Sequence, residues 1–277
     1  MKVLVTGANG QLGYDVIERL EKSNIECLGI DIDILDITDQ EQVKKFISNY
    51  SPEVVIHCGA YTAVDKAEDE KELCYSVNVL GTRFIAQACK EVDAKMVYIS
   101  TDYVFDGEGD QPFEVTDKPN PINYYGETKY QGELEVQNIL EKYFIVRISW
   151  VFGSNGNNFV KTMLRLGKER DEISVVADQI GSPTYTFDLA EILVEMIKTD
   201  KYGIYHVTNE GYCSWYEFAC EIFKQVGIDI KVNPINTEEY PTRAIRPKNS
   251  RMNKNLLNKL EAWESALNHY INHLKQD

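Results

Sequence analysis

The sequence has no run of about 18 apolar residues, the length that a membrane-spanning helix needs. It also has little positive charge. Its formal net charge is −15, which argues against nucleic-acid binding because that binding depends on basic patches. Strand-like sequence begins at Lys2 and leaves no room for a signal peptide. We therefore expect a cytoplasmic protein with no membrane or nucleic-acid partner.

Metal-ligand spacing is missing as well. The six cysteines contain no Cys-x-x-Cys pair and mostly lie in apolar segments, and the four histidines are dispersed, so we predict no metal site. Repeats and low-complexity tracts are absent. What remains is an ordinary globular composition, 43% hydrophobic and 26% charged. A chain of 277 residues is long enough for a main domain with a smaller lobe.

The first strong pattern is a strand, a glycine turn and a helix. Lys2 to Thr6 is apolar and β-rich, Gly7, Gly10 and Gly13 follow, and a helix with an apolar face comes next. Glycines let the backbone turn tightly, and the free N–H groups of a helix N-terminus attract phosphate. This unit predicts binding of a dinucleotide diphosphate.

Asp31 lies at the end of the second predicted strand, 21 residues after Gly10. An acid at this spacing accepts a hydrogen bond from a ribose 2′-hydroxyl, which favours NADH over NADPH. Asp33 and Asp36 crowd the same loop, and nearby lysines could accommodate a 2′-phosphate. The choice between the two cofactors stays open.

Strands continue to alternate with helices, at 53–57 and at 95–100. This alternation predicts an α/β fold with a doubly wound, Rossmann-like parallel sheet, whose ligands bind beyond the carboxyl ends of the strands. Thr101 lies at such an end. Its hydroxyl could bind a substrate oxygen, or it could serve only in a cap or turn. Capping boxes are predicted at Thr38–Glu41 and at Ser214–Glu217.

Residues 144–153 form a nearly continuous apolar run, which predicts one strand buried on both faces. Trp150, near its end, is predicted to be either a core residue or a cover over a sugar ring. Regular alternation weakens after this run. We therefore divide the chain into a dinucleotide-binding core, 1–153, to which some later segments return, and a smaller C-terminal substrate lobe, 154–277.

Tyr125 and Lys129 are the strongest catalytic candidates. On a helix, residues i and i+4 share a face, so the phenol and the ammonium can enter one cleft. A neighbouring positive charge favours the phenolate and would lower the tyrosine pKa, which suits proton transfer. Such a pair also arises by chance in a chain rich in tyrosine, so it needs a structural context.

A basic segment interrupts the acidic chain near its end. Arg243, Arg246, Lys248 and Arg251 follow one another with no acid among them. The segment is either a solvated loop or a binding site for a diphosphate, which arginine side chains suit well.

Several strings together carry a resemblance that runs over the full length. They are GANGQLG at 7–13, LDITD at 35–39, AYTAVDKAE at 60–68, STDYVFDG at 100–107, YGETK at 125–129, RISWVFG at 147–153, DQIGSPT at 178–184 and RPKNSRM at 246–252. With these strings the chain resembles the extended short-chain dehydrogenase/reductase superfamily and, within it, the dTDP-4-dehydrorhamnose reductases. That family reduces dTDP-4-dehydro-6-deoxy-L-mannose to dTDP-L-rhamnose with NADPH or NADH.

The resemblance implies roles by position. Tyr125 would donate the proton, Lys129 would hold the nicotinamide ribose and lower the tyrosine pKa, and Thr101 would orient the 4-keto oxygen. The cofactor-binding residues would be Gly7, Gly10, Gln11, Leu12, Asp31, Asp36, Ile37, Gly59, Ala60, Tyr61, Tyr125 and Lys129. The substrate-binding residues would be Thr62, Val64, Thr101, Tyr103, Trp150 and Arg246.

Two alternatives remain at this point. Nucleotide-sugar epimerases and dehydratases share the same three catalytic residues but usually carry a longer substrate lobe and keep NAD⁺ tightly bound. The regulatory subunit of methionine adenosyltransferase resembles the same reductases without being an enzyme, although the intact Thr101, Tyr125 and Lys129 argue against it. Some reductases of the family form magnesium-linked dimers. The resemblance thus allows a homodimer, but we assign no acid pair here to such a metal.

Overall fold

The computed structural model describes residues 1–254 and 259–275. Its strands are β1 (Lys2–Thr6), β2 (Glu26–Ile30), β3 (Val54–His57), β4 (Lys95–Thr101), β5 (Tyr143–Ile148), β6 (Val151–Phe152), β7 (Glu172–Val176), β8 (Ile180–Gly181), β9 (Thr184–Tyr185), β10 (Gly203–His206), β11 (Cys213–Ser214) and β12 (Lys231–Ile235). Its α-helices are α1 (Gln11–Lys22), α2 (Gln40–Tyr50), α3 (Val64–Ala67), α4 (Lys71–Tyr75), α5 (Thr82–Glu91), α6 (Tyr124–Ile139), α7 (Phe159–Glu169), α8 (Thr186–Met196), α9 (Trp215–Val226) and α10 (Trp263–Leu274). A π-helical turn, Ser76–Gly81, joins α4 to α5.

The central sheet has six parallel strands in the order β10-β5-β4-β3-β1-β2. Both of its faces are covered. Val3 and Val5 pack on one face with α1 and α8, whereas Leu4 packs on the other face with α2, α5 and α6. Successive strand residues point to opposite faces, so a strand buried on both sides must be apolar throughout. The predicted doubly wound parallel sheet is confirmed.

A separate apolar cluster lies beyond the sheet. It joins α7, α9 and α10 through residues such as Met163, Phe218 and Leu267. Strand β10 and helix α8 also come from beyond residue 153, but they belong to the central sheet and its core. The division into 1–153 and 154–277 stays a prediction, and residues 255–258 and 276–277 of its second part lie outside the described residues.

The two predicted capping boxes have different outcomes. Ser214 caps α9 as expected: its Oγ accepts from Glu217 N at 3.0 Å, and Glu217 Oε2 accepts from Ser214 N at 2.7 Å. The box at Thr38 is wrong by one residue. Asp39 caps α2 by accepting from Gln42 N at 3.0 Å. The Thr38 side chain is instead turned towards Asp36, where its hydroxyl donates to Oδ1 at 2.7 Å.

The single strand predicted over 144–153 is also wrong, because it is two strands. Strand β5 ends at Ile148 and β6 begins at Val151, and between them Trp150 adopts a left-handed backbone with φ +47°. Ser149 and Thr184 fix this corner, since the Thr184 hydroxyl donates to Ser149 O at 2.6 Å. The corner moves the chain from the central sheet to a pairing of β6 with β9.

No helix in the described residues is long and apolar enough to cross a membrane. The same residues contain no group of three or more His, Cys, Asp or Glu side chains that could hold a metal ion.

Candidate active site

Two neighbouring cavities form one groove across the carboxyl ends of the central strands. The larger has a volume of about 490 Å³ and the smaller about 290 Å³. Gly7, Asp31, Gly59 and Ala60 line both of them. This is the edge at which a parallel α/β sheet binds its ligands. All the predicted site residues except Arg246 line one or both cavities.

The glycine turn after β1 is shaped for close approach to a ligand. Gly7 has φ +67°, and a Cβ atom there would lie only 2.7 Å from Gly59 N. Helix α1 begins directly after the turn, and no side chain caps its N-terminus at Gly10. Its free N–H groups therefore stand at the larger cavity, whose wall includes Gly10, Gln11 and Leu12. These residues fit a diphosphate.

Asp31 ties the glycine turn to the end of β2. Its Oδ2 accepts from Asn9 N at 3.0 Å, and its Oδ1 accepts from Ile32 N at 2.8 Å. Carboxylate oxygens have several lone pairs, so Asp31 can still accept from a ribose hydroxyl. Beyond it the smaller cavity is mainly apolar, with walls from Ile32, Leu35 and Ile37. Asp36 and Tyr61 also line this cavity, which suits an adenine ring.

Tyr125 and Lys129 enter the larger cavity from the first turns of α6. Asn123 caps this helix by accepting from Gly126 N at 2.8 Å. Gly126 allows the helix to approach the turn after β4 closely, because a Cβ atom there would lie 2.1 Å from Tyr103 O. This packing places the Tyr125 ring edge-on to the Tyr103 ring, with centroids 5.9 Å apart.

The pKa values in this pair differ from the sequence-based expectation. Burial raises the pKa of Tyr125, the Asp102 carboxylate raises it further, and a hydrogen bond with Thr101 opposes both. Burial also lowers the pKa of Lys129, to about 7, against an opposing effect of Glu133. The predicted lowering of the Tyr125 pKa is therefore wrong, because desolvation dominates. A phenol that keeps its proton near neutral pH remains able to donate it.

A fully buried ion pair joins α6 to strand β5. Arg147 on β5 donates to both carboxylate oxygens of Glu133, at 2.9 and 2.7 Å, and the Ser100 hydroxyl donates to the same carboxylate at 2.5 Å. Glu133 lies one turn after Lys129, so the pair fixes the helix that carries both catalytic candidates. This ion pair was not predicted from the sequence. An arginine within an otherwise apolar strand was the available signal, because a buried charge needs a partner.

Thr101 ends β4 and begins the 3₁₀ turn Asp102–Val104. Its Oγ1 accepts from Tyr103 N at 3.2 Å and donates to Asp102 Oδ1 at 2.9 Å. The cap function that the sequence allowed is thus present, and the hydroxyl also lines the larger cavity. Asp102 lines the same cavity and was not among the predicted site residues.

Trp150 lies in the wall of the larger cavity, together with Thr62, Val64 and Tyr103. Its indole stacks on that of Trp215, with ring centroids 3.6 Å apart and planes 12° apart. Trp215, at the start of α9, lines the cavity as well and was not among the predicted site residues. The left-handed backbone at Trp150 directs its ring to this stack.

Arg246 lies outside both cavities. Its guanidinium donates to the two carboxylate oxygens of Asp65, at 3.1 and 2.7 Å. Arg243 pairs with Asp69, and Lys248 pairs with Asp178 and Glu238. Acids from distant parts of the chain thus neutralise much of the basic segment. Substrate binding by Arg246 stays a prediction.

Comparison with known proteins shows to which family the chain belongs. The family profile described as RmlD substrate binding domain matches residues 1–276. The spore coat polysaccharide biosynthesis protein SpsK of Bacillus subtilis is 39% identical over 98% of this chain and 96% of its own length. The dTDP-4-dehydrorhamnose reductase of Aggregatibacter actinomycetemcomitans is 44% identical over 90% of this chain and 89% of its own length.

Among solved structures, the dTDP-4-dehydrorhamnose reductase of Bacillus anthracis in complex with NADP superimposes with a TM-score of 0.96. It is 48% identical, and the match covers 98% of this chain and 99% of that one. The profile match and these relatives extend over nearly the whole sequence. The chain therefore belongs to the dTDP-4-dehydrorhamnose reductase family.

Proposed function

We propose that this chain reduces the 4-keto group of dTDP-4-dehydro-6-deoxy-L-mannose to the hydroxyl of dTDP-L-rhamnose, using NADPH or NADH. The observation that carries the proposal is the groove itself. It joins an uncapped helix N-terminus and an apolar subsite to a cavity that holds Thr101, Tyr125 and Lys129. Family membership supplies the substrate class.

The cofactor is expected to lie along the groove in one direction. The adenine would occupy the smaller cavity beside Asp36, Ile37 and Tyr61, and the diphosphate would meet the turn at Gly7 and Gly10. Gln11, Leu12, Gly59 and Ala60 line the path between them and the catalytic end. A reduced nicotinamide bound there supplies the hydride.

The residues of the chain would then bind, orient and protonate. Tyr125 donates the proton to the forming alkoxide, which its raised pKa permits because the phenol is protonated before the reaction. Lys129 binds the nicotinamide ribose and stabilises negative charge near Tyr125. Thr101 orients the keto oxygen. Thr101 and Lys129 are buried and Tyr125 is half-buried, which limits the access of water to the reacting groups.

The sugar would occupy the end of the larger cavity, between the catalytic residues and the stacked indoles. Thr62, Val64, Tyr103 and Trp150 line this end. Arg246 would reach the substrate diphosphate only by leaving Asp65. A homodimer and a cytoplasmic location are further parts of the proposal.

The test of the reduction is an assay in which a dehydratase and an epimerase generate the keto sugar in place. The oxidation of NADPH or NADH is monitored by absorbance. We expect substrate-dependent oxidation of at least one cofactor and formation of dTDP-L-rhamnose. Comparing the two cofactors also measures whether Asp31 excludes the 2′-phosphate. Absence of oxidation by protein that binds NADPH would contradict the proposal. Conversion of a nucleotide sugar without net oxidation would indicate an epimerase instead.

A further inference from the structure

Asp102 is a buried carboxyl group in the larger cavity to which the proposed reduction gives no role. Only 3% of its surface is exposed. Its Oδ1 accepts from Thr101 Oγ1 at 2.9 Å. Its Oδ2 is buried and has no hydrogen-bond partner among the residues that the structure describes. A buried acceptor without a donor is costly, and the cost is largest when the group is charged.

The hydrogen bond to Asp102 limits what the Thr101 hydroxyl can do. A hydroxyl has one proton to donate and two lone pairs. Tyr103 N donates to one lone pair at 3.2 Å, and an ionised Asp102 takes the proton. Thr101 can then only accept from a further group. In that arrangement Thr101 cannot bind a keto oxygen, because its own proton is already used and a keto oxygen has no proton to donate.

Protonation of Asp102 reverses this arrangement. A neutral carboxyl can donate to Thr101 Oγ1, which leaves the Thr101 proton free to point towards Tyr125 and the substrate. We propose that Asp102 is a positioning residue for the reduction: it sets the direction of the Thr101 hydroxyl, and the active arrangement is the one in which Asp102 carries a proton. This inference rests on the proposed function, but its first test needs no turnover.

The surroundings of Asp102 favour the neutral form. Tyr103 on the same turn, Tyr125 on α6 and Ser250 on the C-terminal loop face this part of the site, and beyond them Arg246 and Asp65 form their own ion pair. Burial raises the pKa of Asp102 to about 6. The Ser250 hydroxyl, which is close to the carboxylate without completing a hydrogen bond to Oδ2, and the Thr101 hydroxyl oppose that effect. A ligand that fills the cavity removes more water and favours the neutral carboxyl further.

Proton uptake on ligand binding is the first test. Binding of NADPH, alone and followed by dTDP-L-rhamnose, is measured by calorimetry in buffers of different ionisation enthalpy. These two ligands do not react with each other. At neutral pH we expect the wild-type protein to take up a measurable fraction of a proton that Asp102→Asn does not. Asp110→Asn makes the same chemical change at an exposed position and should keep the uptake.

The wild-type protein alone also tests the proposal. Below about pH 5 most of the Asp102 carboxyl already carries its proton, so the uptake should disappear there. Equal uptake in wild type and Asp102→Asn, or uptake in the wild type that does not fall at low pH, would overturn the proposal. If NADPH binds but dTDP-L-rhamnose does not, the proposed substrate is wrong, and the uptake with NADPH still decides the question for Asp102.

Kinetics distinguish positioning from a purely structural role. The Asn amide always has N–H groups to donate to Thr101, so Asp102→Asn should keep kcat/KM within about threefold at pH 6. In the wild type, kcat/KM should decline as the pH rises through the pKa of the Asp102 carboxyl. The Asp102→Asn variant should not show this decline. Asp102→Ala offers no donor and should lose about tenfold or more. An asparagine variant as impaired as the alanine variant would show that the ionised carboxylate is required.

Discussion

At the scale of single residues, the chemistry depends on one phenol that keeps its proton until it is needed. Burial and the Asp102 carboxylate raise the pKa of Tyr125, and a hydrogen bond with Thr101 opposes them. Lys129 lies beside it but above the Tyr98 ring, with Nζ 4.1 Å from the ring centroid. The pair therefore combines a half-buried acid and a buried cation, and the pKa of each is shifted so as to favour its neutral form.

Replacement of Tyr125 by phenylalanine isolates the hydroxyl. The variant keeps the ring and its edge-on contact with Tyr103, so cofactor affinity should stay within about twofold of wild type. Turnover should fall by about 10²- to 10⁴-fold, because the proton donor is lost. Steady-state kinetics and a cofactor titration measure the two effects. Tyr130→Phe on the same helix is the control, and near-normal turnover in Tyr125→Phe would show that another group donates the proton.

The resemblance named most of the residues that line the groove, whereas the sequence pattern by itself located the glycine turn, the strand ends and the pair Tyr125 and Lys129. Strand ends and the first turn of a helix can be located from apolar runs and glycines, and parallel strands bring these ends to one edge. Asp102 and Trp215 were missed for a different reason. Their significance depends on an unpaired oxygen and on a stacked ring that become visible only in three dimensions. The same applies to the pKa of Tyr125, since burial is a tertiary property.

At the scale of elements, helix α6 carries the two catalytic candidates and is held in place by a buried ion pair. Glu133 and Arg147 are both almost inaccessible, and the Ser100 hydroxyl takes part in the same network. Two residues further along the helix, Glu135 makes a similar two-bond contact with Arg83, but at a partly exposed position. The helix thus offers two arginine–glutamate pairs that differ mainly in burial.

These pairs predict different costs for the same substitution. Glu133→Gln leaves the Arg147 charge buried without its counterion and should lower the free energy of unfolding by about 3–5 kcal/mol. Glu135→Gln should lower it by no more than about 1 kcal/mol, because water screens and solvates Arg83. Urea unfolding of both variants measures the difference. Equal costs would mean that Glu133 does not stabilise α6 through this ion pair.

Element boundaries were predicted less well than the elements themselves. Asp39 and Thr38 are both residue types that cap helices. Asp39 caps α2, whereas the Thr38 side chain is turned towards Asp36. The break between β5 and β6 depends on Thr184, which lies far along the chain from Ser149. Local sequence cannot decide such competitions, since distant contacts determine them.

At the scale of the whole molecule, residues from beyond position 153 brace the cofactor groove. Asn155 Nδ2 donates to Asn9 O at 2.6 Å, within the glycine turn. Asn158 Nδ2 lies 3.1 Å from Gln11 Oε1 and 3.1 Å from the Tyr270 hydroxyl. Leu189 and Leu193 of α8 join the core of the central sheet. The two parts of the chain therefore share both a core and the walls of the site.

This sharing predicts cooperative unfolding, and the tryptophans provide a direct test. All three, Trp150, Trp215 and Trp263, contribute to the apolar cluster beyond the sheet, so their fluorescence reports that part, whereas far-UV circular dichroism reports the whole chain. We expect one transition with the same urea midpoint by both probes. NADP⁺ at 100 times its dissociation constant should stabilise the protein by about 2.7 kcal/mol and shift both midpoints equally.

Separate midpoints would have a specific meaning. If NADP⁺ shifted the circular dichroism transition but not the fluorescence transition, the predicted division at residue 153 would correspond to two units that unfold independently. Equal shifts would instead require that the cofactor, although bound mainly by the first part of the chain, stabilises the distant aromatic cluster. The physical link for that coupling is a set of contacts: Asn155 and Asn158 contact the glycine turn and α1, and α8 packs on the core of the sheet. The second part of the chain cannot unfold without breaking these contacts.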